Sequence, residues 1–157
     1  MAKAKKKPTT KVISNRRARF DYRLNEPMTV GIVLNGAETK AVRNGHAQLK
    51  GSYVNVLNNE LWLINAMITG SNAAPINEED KTRSRKLLAS RKEIDELIRA
   101  KKSGSTIVPL ELLTATKYIK LRIAYGVGNK NYDKRQIIKK RDEQRSIERI
   151  VRGKTNI

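Results

Sequence analysis

The chain has 157 residues, with 34 Lys and Arg against 15 Asp and Glu and a formal charge of +19, an excess that exceeds the needs of solubility and points to a polyanionic partner. It has no cysteine and one histidine, which excludes disulfides, thiol catalysis, Cys-ligated zinc and His-pair metal sites. Apolar residues make up 38% of the chain, enough for one modest core, and no apolar run is long enough to span a bilayer.

In chain order, residues 1–14 are lysine-rich, contain Pro8 and lack apolar periodicity, so they read as a disordered basic arm with the fold beginning near Asn15. The charged N-terminus has no apolar stretch after it and does not read as a secretory signal. Phe20, Tyr22 and Leu24 alternate with Asp21 and Arg23, the period of a strand, and Pro27 ends the pattern. Val30 to Leu34 is a short apolar run before the Asn35-Gly36 turn signal and reads as a strand. Ala37 to Arg43 suits a helix that stops at Asn44-Gly45. Tyr53 to Leu57 and Leu61 to Ile64 flank Asn58-Asn59-Glu60, a hairpin pattern whose second strand could continue to Ile68. Residues 70–80 have loop composition, and the basic run Thr82 to Leu88 follows.

Ser90 and Glu93 match a capping box, in which each side chain satisfies the other residue's backbone N–H. Ile94, Leu97 and Ile98 give the helix after it one apolar face, and Gly104 ends it. Thr106 to Leu110 is strand-like, with Pro109 arguing for an edge or a bulge. Ile119, Leu121, Ile123 and Tyr125 alternate with Lys120, Arg122 and Ala124, the clearest half-buried strand, with two cations on its wet face. Gly126-Val127-Gly128 reads as a flexible link. Residues 129–157 are mostly charged. Ile137, Ile147 and Val151 could form a broken stripe, too little apolar area to fold alone, so this tail should become helical only on a partner. The ordered middle, residues 15–128, reads as about six strands and two or three helices, a compact and partly closed barrel with helices attached.

The charge is segregated. Residues 1–19 hold 8 basic and no acidic side chains, residues 20–80 are net −3, residues 81–128 are net +8 and residues 129–157 are net +6. That pattern suits a grip on a polyanion; solubilising tails are the alternative. An enzyme reading fails on inventory. His46 follows a turn glycine with no evident partner, Glu78-Glu79-Asp80 lacks the spacing of a calcium loop, and no phosphate-binding glycine loop is present. Of seven aromatic residues, Trp62 lies between leucines and reads as core. Tyr22 and Tyr132 neighbour cations and suit base stacking. Phosphate contacts would supply most of the affinity and make it salt-sensitive.

Several stretches together resemble the SmpB family: Asn15 to Tyr22 (NRRARFDY), Gly31 to Gly45, Glu60 to Ile68 (ELWLINAMI), Thr82 to Ile98, Val108 to Leu113 and Tyr132 to Arg135 (YDKR). The resemblance covers roughly 140 residues. It implies an oligonucleotide-binding-like antiparallel β-barrel with two or three helices, and a basic C-terminal tail that is disordered when free and helical on the ribosome. It implies binding to the tRNA-like domain of transfer-messenger RNA and delivery of that RNA to stalled ribosomes. The tail would occupy the empty mRNA channel in place of codon–anticodon pairing. Implied partners are transfer-messenger RNA, 16S rRNA of the decoding centre and mRNA channel, and elongation factor Tu through the alanyl-RNA complex. Catalysis, cofactors, metals and membranes have no place in it, and the location is cytoplasmic.

By position, the resemblance puts Asn15, Arg17, Arg19, Tyr22, Glu38, Lys40, Arg43, Thr82, Arg83, Arg85 and Lys86 on the RNA-facing side of the core. It puts Lys130, Tyr132, Asp133, Lys134, Arg135, Lys139, Lys140, Arg141, Ile150 and Val151 in the ribosome-binding tail, with Tyr132 stacking on a decoding-centre base. The chain departs from the family pattern at several positions. Thr29 stands for a usual glutamate, Phe20 for a histidine and Lys81 for a proline. Val127 and Asn129 stand for lysines, which removes two cations at the hinge, and an Asn-Gly turn near 115 is lost. The rival reading is a general or ribosomal RNA-binding barrel. A cation-dependent nuclease would need clustered carboxylates on the barrel face, and the acid-poor blocks argue against it.

Overall fold

The computed structural model describes residues 12–72 and 74–154, and the side chains of these residues except 131, 132 and 149–154. Six strands form a closed antiparallel ring. In ring order they are β9 (Thr106–Leu113), β5 (Tyr53–Leu57), β6 (Glu60–Ile64), β8 (Arg85–Leu88), β3 (Met28–Ile32) and β10 (Lys120–Gly128), which pairs back onto β9. Two short strands extend the ring's edges, β1 (Ile13–Ser14) on β9 and β2 (Tyr22–Leu24) on β10. A separate pair, β4 (Ala47–Gln48) and β7 (Met67–Ile68), lies outside the ring. The helices are α1 (Ala18–Asp21), α2 (Gly36–Arg43), α3 (Glu78–Lys81), α4 (Arg91–Lys102) and α5 (Asn131–Lys154). The expected barrel with attached helices is present.

The period-2 pattern does what it predicts. Leu61 and Leu63 of β6, Leu87 of β8, Val30 of β3 and Leu121 and Ile123 of β10 all point inward and are at most 2% exposed. Burying a side chain of that size stabilises by about 1.5–3 kcal/mol. The β5–β6 hairpin turns through Asn58 and Asn59, both at positive φ (50° and 62°). Two consecutive left-handed residues make the turn that matches strand twist, and asparagine tolerates them. Ser90 and Glu93 form the expected capping box on α4.

Other expectations need correction. Residues 1–11 of the expected arm lie outside the described residues, but Ile13 and Ser14 pair with Leu112 and Glu111, so order begins before Asn15. Phe20 is not in a strand. Both Phe20 and Asp21 donate their N–H to Arg17 O, closing a helical turn that buries Ala18 against Val108, Leu110 and Ala124. Asn35 is a helix cap, not an independent turn. The β6 strand stops at Asn65, which takes φ 59°, and Met67–Ile68 pairs elsewhere. One turn of helix, α3, occupies the expected loop. Trp62 is half-buried on the barrel's outer face, opposite Asn55 and Lys86; the inward positions go to Leu61 and Leu63.

Of the two settings expected for Pro109, the bulge is the one found: it pairs with Ile123 of β10, and on its other side it falls between the residues paired by β1 and by β5. The pairing shifts there from Glu111↔Arg122 to Pro109↔Ile123, leaving Leu110 as the extra residue of a bulge. A bulge accommodates a residue with no N–H to give. The Gly126–Gly128 link is strand, paired with Leu24, Arg23 and Tyr22.

Candidate nucleic-acid interface

The site grows from the cap of α2. Asn35 accepts the Glu38 N–H at 2.8 Å and Glu38 accepts the Asn35 N–H at 2.9 Å. This reciprocal cap holds Glu38 on the buried side of α2, where Ala41 and Val42 join the core. The outer face, by helical spacing, carries Lys40 and Arg43 three residues apart, both exposed.

Glu38 is fully buried and collects two arginines. Arg83 reaches it through Nε and Nη2, at 2.9 and 2.6 Å, and Arg85 through Nε at 2.9 Å. Arg85 is also fully buried. Its remaining donors go to the carbonyls of Ala66 and Arg83 at 2.7 and 2.9 Å, and of Asp80 and Lys81 at 3.1 Å each. Burial opposes ionisation of Glu38, but hydrogen bonds from Arg83 and Asn35 and the charge of Arg85 outweigh it. The carboxyl therefore ionises below its usual value of 4.5. Burial pulls the Arg85 guanidinium down, against the charge of Glu38, and it stays protonated at neutral pH.

This corrects two expected RNA contacts. Glu38 and Arg85 are enclosed and already partnered, so neither can touch RNA. They fix α2 against β8 and hold Arg83, whose side chain is 34% exposed, at the surface. One carboxylate here faces two guanidiniums.

From there a basic ridge follows α2. Arg83 lies at its N-terminal end, Lys40 midway and Arg43 at its C-terminal end. Arg43 donates through Nη2 to Lys117 O at 2.7 Å, which joins the helix to the β9–β10 turn with its Lys117, Tyr118 and Lys120. Thr82 is exposed just past α3, and Lys86 is half-buried on the outer face beside Glu60.

The N-terminal residues form a second cluster. Asn15 is a clamp more than a contact: its Nδ2 donates to Leu49 O at 3.2 Å and Pro109 O at 3.1 Å. Tyr22 is half-buried against Ala18, Val108, Leu110 and Ala124, so its ring is no open platform for a base. Arg17 and Arg19 are exposed.

The root of α5 docks on this cluster. Asn129 N donates to Asp21 O and Asn129 Nδ2 to Phe20 O, both at 2.8 Å, and Lys134 pairs with Asp21 at 3.0 Å. Arg19 and Tyr22 of the core and Asp133 and Lys140 of the tail then line one groove of about 710 Å³. Replacing Asn129 with alanine is expected to cost about 1 kcal/mol and to speed amide exchange at the start of α5. Unchanged exchange there would mean that the side-chain clamp is idle.

Past its root, α5 carries Arg135, Lys139, Lys140 and Arg141 exposed, with Ile138 and Ile147 at 49% and 61% exposure. Lys130 is exposed as well. At about 1.5 Å per residue its 24 residues extend some 36 Å. Tyr132, Ile150 and Val151 fall on helical backbone, but their side chains lie outside the described residues, as do residues 155–157. Sequence reasoning missed Tyr118, Asn129 and Asp21. The Lys117-Tyr118-Ile119-Lys120 run had the same cation-flanked aromatic signal as Tyr22; the turn that exposes it was not legible. Among the described residues no cluster of three or more metal-ligating side chains exists, and no helix is long and apolar enough to cross a membrane.

The family model described as "SmpB protein" matches residues 12–153. The chain is 43% identical over 155 residues to the SsrA-binding protein of Ruegeria pomeroyi, covering 97% of this chain and 98% of that one. It is 40% identical over 141 residues to the SsrA-binding protein of Lysinibacillus sphaericus, covering 89% and 91%. A solved chain described as "tmRNA-SmpB: a journey to the center of the bacterial ribosome" superposes with a TM-score of 0.62 at 30% identity, covering 81% of this chain and 94% of that one.

Proposed function

The chain belongs to the SmpB family, and we propose that it binds transfer-messenger RNA and brings it to stalled ribosomes, without bond chemistry of its own. The observation that carries this reading is the basic ridge from Arg83 along α2 to the β9–β10 turn. It is built on a buried Glu38 outnumbered by arginines and belongs to a barrel similar to one solved with that RNA's name. Recognition through such a ridge reads phosphates, 2′-hydroxyls and shape, which suits a folded RNA with no exposed duplex code.

The finer roles follow from the charge layout. The barrel grips the tRNA-like domain, and α5 serves the ribosome. Arg135, Lys139, Lys140 and Arg141 supply cations for an RNA-walled channel, and Tyr132, Ile150 and Val151 supply apolar contacts there. Past the root that Asn129 and Lys134 hold on the barrel, the tail is disordered in the free protein and orders as a helix where the mRNA channel is empty; mRNA excludes it by volume. 16S rRNA is then a second partner, elongation factor Tu enters through the alanyl-RNA complex, and the location is the cytoplasm.

The test compares binding to the tRNA-like domain with binding to a size-matched hairpin across a salt series, for the full chain and for a chain ending at Lys130, which keeps the Asn129 clamp. A preference for the tRNA-like domain should survive truncation, while tagging of stalled products is lost. The slope of log K against log salt should fall by about 0.7–0.9 for each phosphate contact removed. Equal binding to both RNAs, collapsing on truncation, would reduce the tail to a polycation and favour a general RNA-binding protein.

A further inference from the structure

The ridge along α2 ends on a tyrosine held out in solvent. Tyr118 is 69% exposed, the most of any large apolar or aromatic side chain among the described residues. Its backbone is nonetheless fixed. Thr116 donates its hydroxyl to Tyr118 O at 2.7 Å, Arg43 donates to Lys117 O at 2.7 Å, and the next residue, Ile119, is 6% exposed in the core. The Lys117 ammonium lies over the ring, 5.4 Å from its centroid, and Lys120 opens the strand that follows.

We propose that Tyr118 is a base-stacking platform for an unpaired RNA base at the end of the α2 ridge, a proposal that rests on the RNA-binding reading above. Three features carry it together. A braced turn presents the ring at little further entropic cost on binding. A flat ring accepts any base, since every base has a π-face. The flanking Lys117, Lys120 and Arg43 supply the charge that draws the nucleotide's phosphates, and an ammonium over the ring strengthens the stack. A tyrosine serving the fold would turn its ring onto the barrel, as Tyr22 does.

The base can come from transfer-messenger RNA or from ribosomal RNA, and the experiment separates the two. Full-length wild type, Tyr118→Ala and Tyr118→Phe are titrated with transfer-messenger RNA and, separately, with vacant small ribosomal subunits. Because the ring is mostly in water, both variants should fold with unchanged melting temperature. Tyr118→Ala should bind about tenfold more weakly in one of the two titrations. Tyr118→Phe should bind as wild type, and the salt slope should not change, because no cation is removed. Binding by Tyr118→Ala within twofold of wild type in both titrations overturns the proposal, as does a Tyr118→Phe variant as weak as Tyr118→Ala.

Failure of the broader reading looks different: wild type then binds transfer-messenger RNA no better than a size-matched hairpin. Tyr118→Ala is in that case compared on a hairpin with an unpaired loop and on a blunt duplex. Loss on the hairpin alone sustains the platform. Loss on both, or on neither, overturns it.

Discussion

Replacing Glu38 with alanine should destabilise the barrel by about 3–5 kcal/mol, the cost of leaving a buried charge without its partner. In a chain of this size that lowers the melting temperature by roughly 10–15 °C. The magnitude follows from how much one carboxylate does. It completes the α2 cap, receives Arg83 twice and neutralises Arg85 inside the protein. Without it Arg85 is a buried cation whose other donors hold four carbonyls, that of Ala66 and three within residues 80–83. Glu38→Gln keeps the shape and isolates the charge.

The pH dependence gives a second reading of the same network. The folded carboxyl ionises below its usual value of 4.5, so the unfolded chain takes up this proton first. The stability it confers is therefore fully present above pH 4.5 and is lost as the pH falls through the lower folded value. Wild type and Glu38→Gln should differ most at neutral pH and converge on acidification below 4.5. Melting curves that stay parallel from pH 7 to pH 3 would show that the carboxylate's charge contributes nothing. Arg85→Ala should be comparably damaging to the fold but keeps the Arg83–Glu38 pair; in Glu38→Ala Arg83 loses its anchor, so RNA affinity should fall below the melting temperature as well.

This network marks where sequence reading stops. Alternation located β10 and β6 because their inward residues are apolar, and the Ser90–Glu93 box located the start of α4 because capping is local chemistry. The run Arg83 to Leu88 looked like surface, yet Arg85 points into the barrel and Lys86 outward, one residue apart in a strand. Nothing local to Arg85 announces a carboxylate 47 residues away. Phe20 misled for the same reason. Tyr22 and Leu24 of its period-2 pattern do form β2, but Phe20 lies in α1, the turn that buries Ala18 against Val108 and Ala124. The site was legible as a list of cations. Which of them are exposed, which are beams, and that Arg43 braces the turn carrying Tyr118 are facts of long-range contact.

Gly126 and Gly128 look alike in sequence and should behave oppositely when changed to alanine. A Cβ on Gly126 would overlap Arg23 O and meet the carbonyl carbon of Arg23 at 2.9 Å and the Leu24 Cα at 3.0 Å. These are backbone atoms of the paired strand and have no side-chain freedom with which to yield. Gly126 also faces Thr106 on its other side, so β10 cannot shift away without disturbing β9. Gly126→Ala should cost about 3 kcal/mol, at the upper end of ordinary overpacking, and lower the melting temperature by roughly 10 °C. A Cβ on Gly128 meets nothing within 4 Å, and Gly128→Ala should be neutral or slightly stabilising, because it restricts only the unfolded chain. The damage at Gly126 should travel to the tail. Strand β2 follows α1 directly, and Asp21, which anchors both Asn129 and Lys134, adjoins it. Peeling β2 from β10 therefore loosens the root of α5. Hydrogen exchange should accelerate at Val127 and along the first turn of α5 in Gly126→Ala and stay unchanged in Gly128→Ala. If the two variants melt within a degree of each other, the glycine at 126 is a flexible link after all, and the close approach of β2 to β10 is not what fixes the tail.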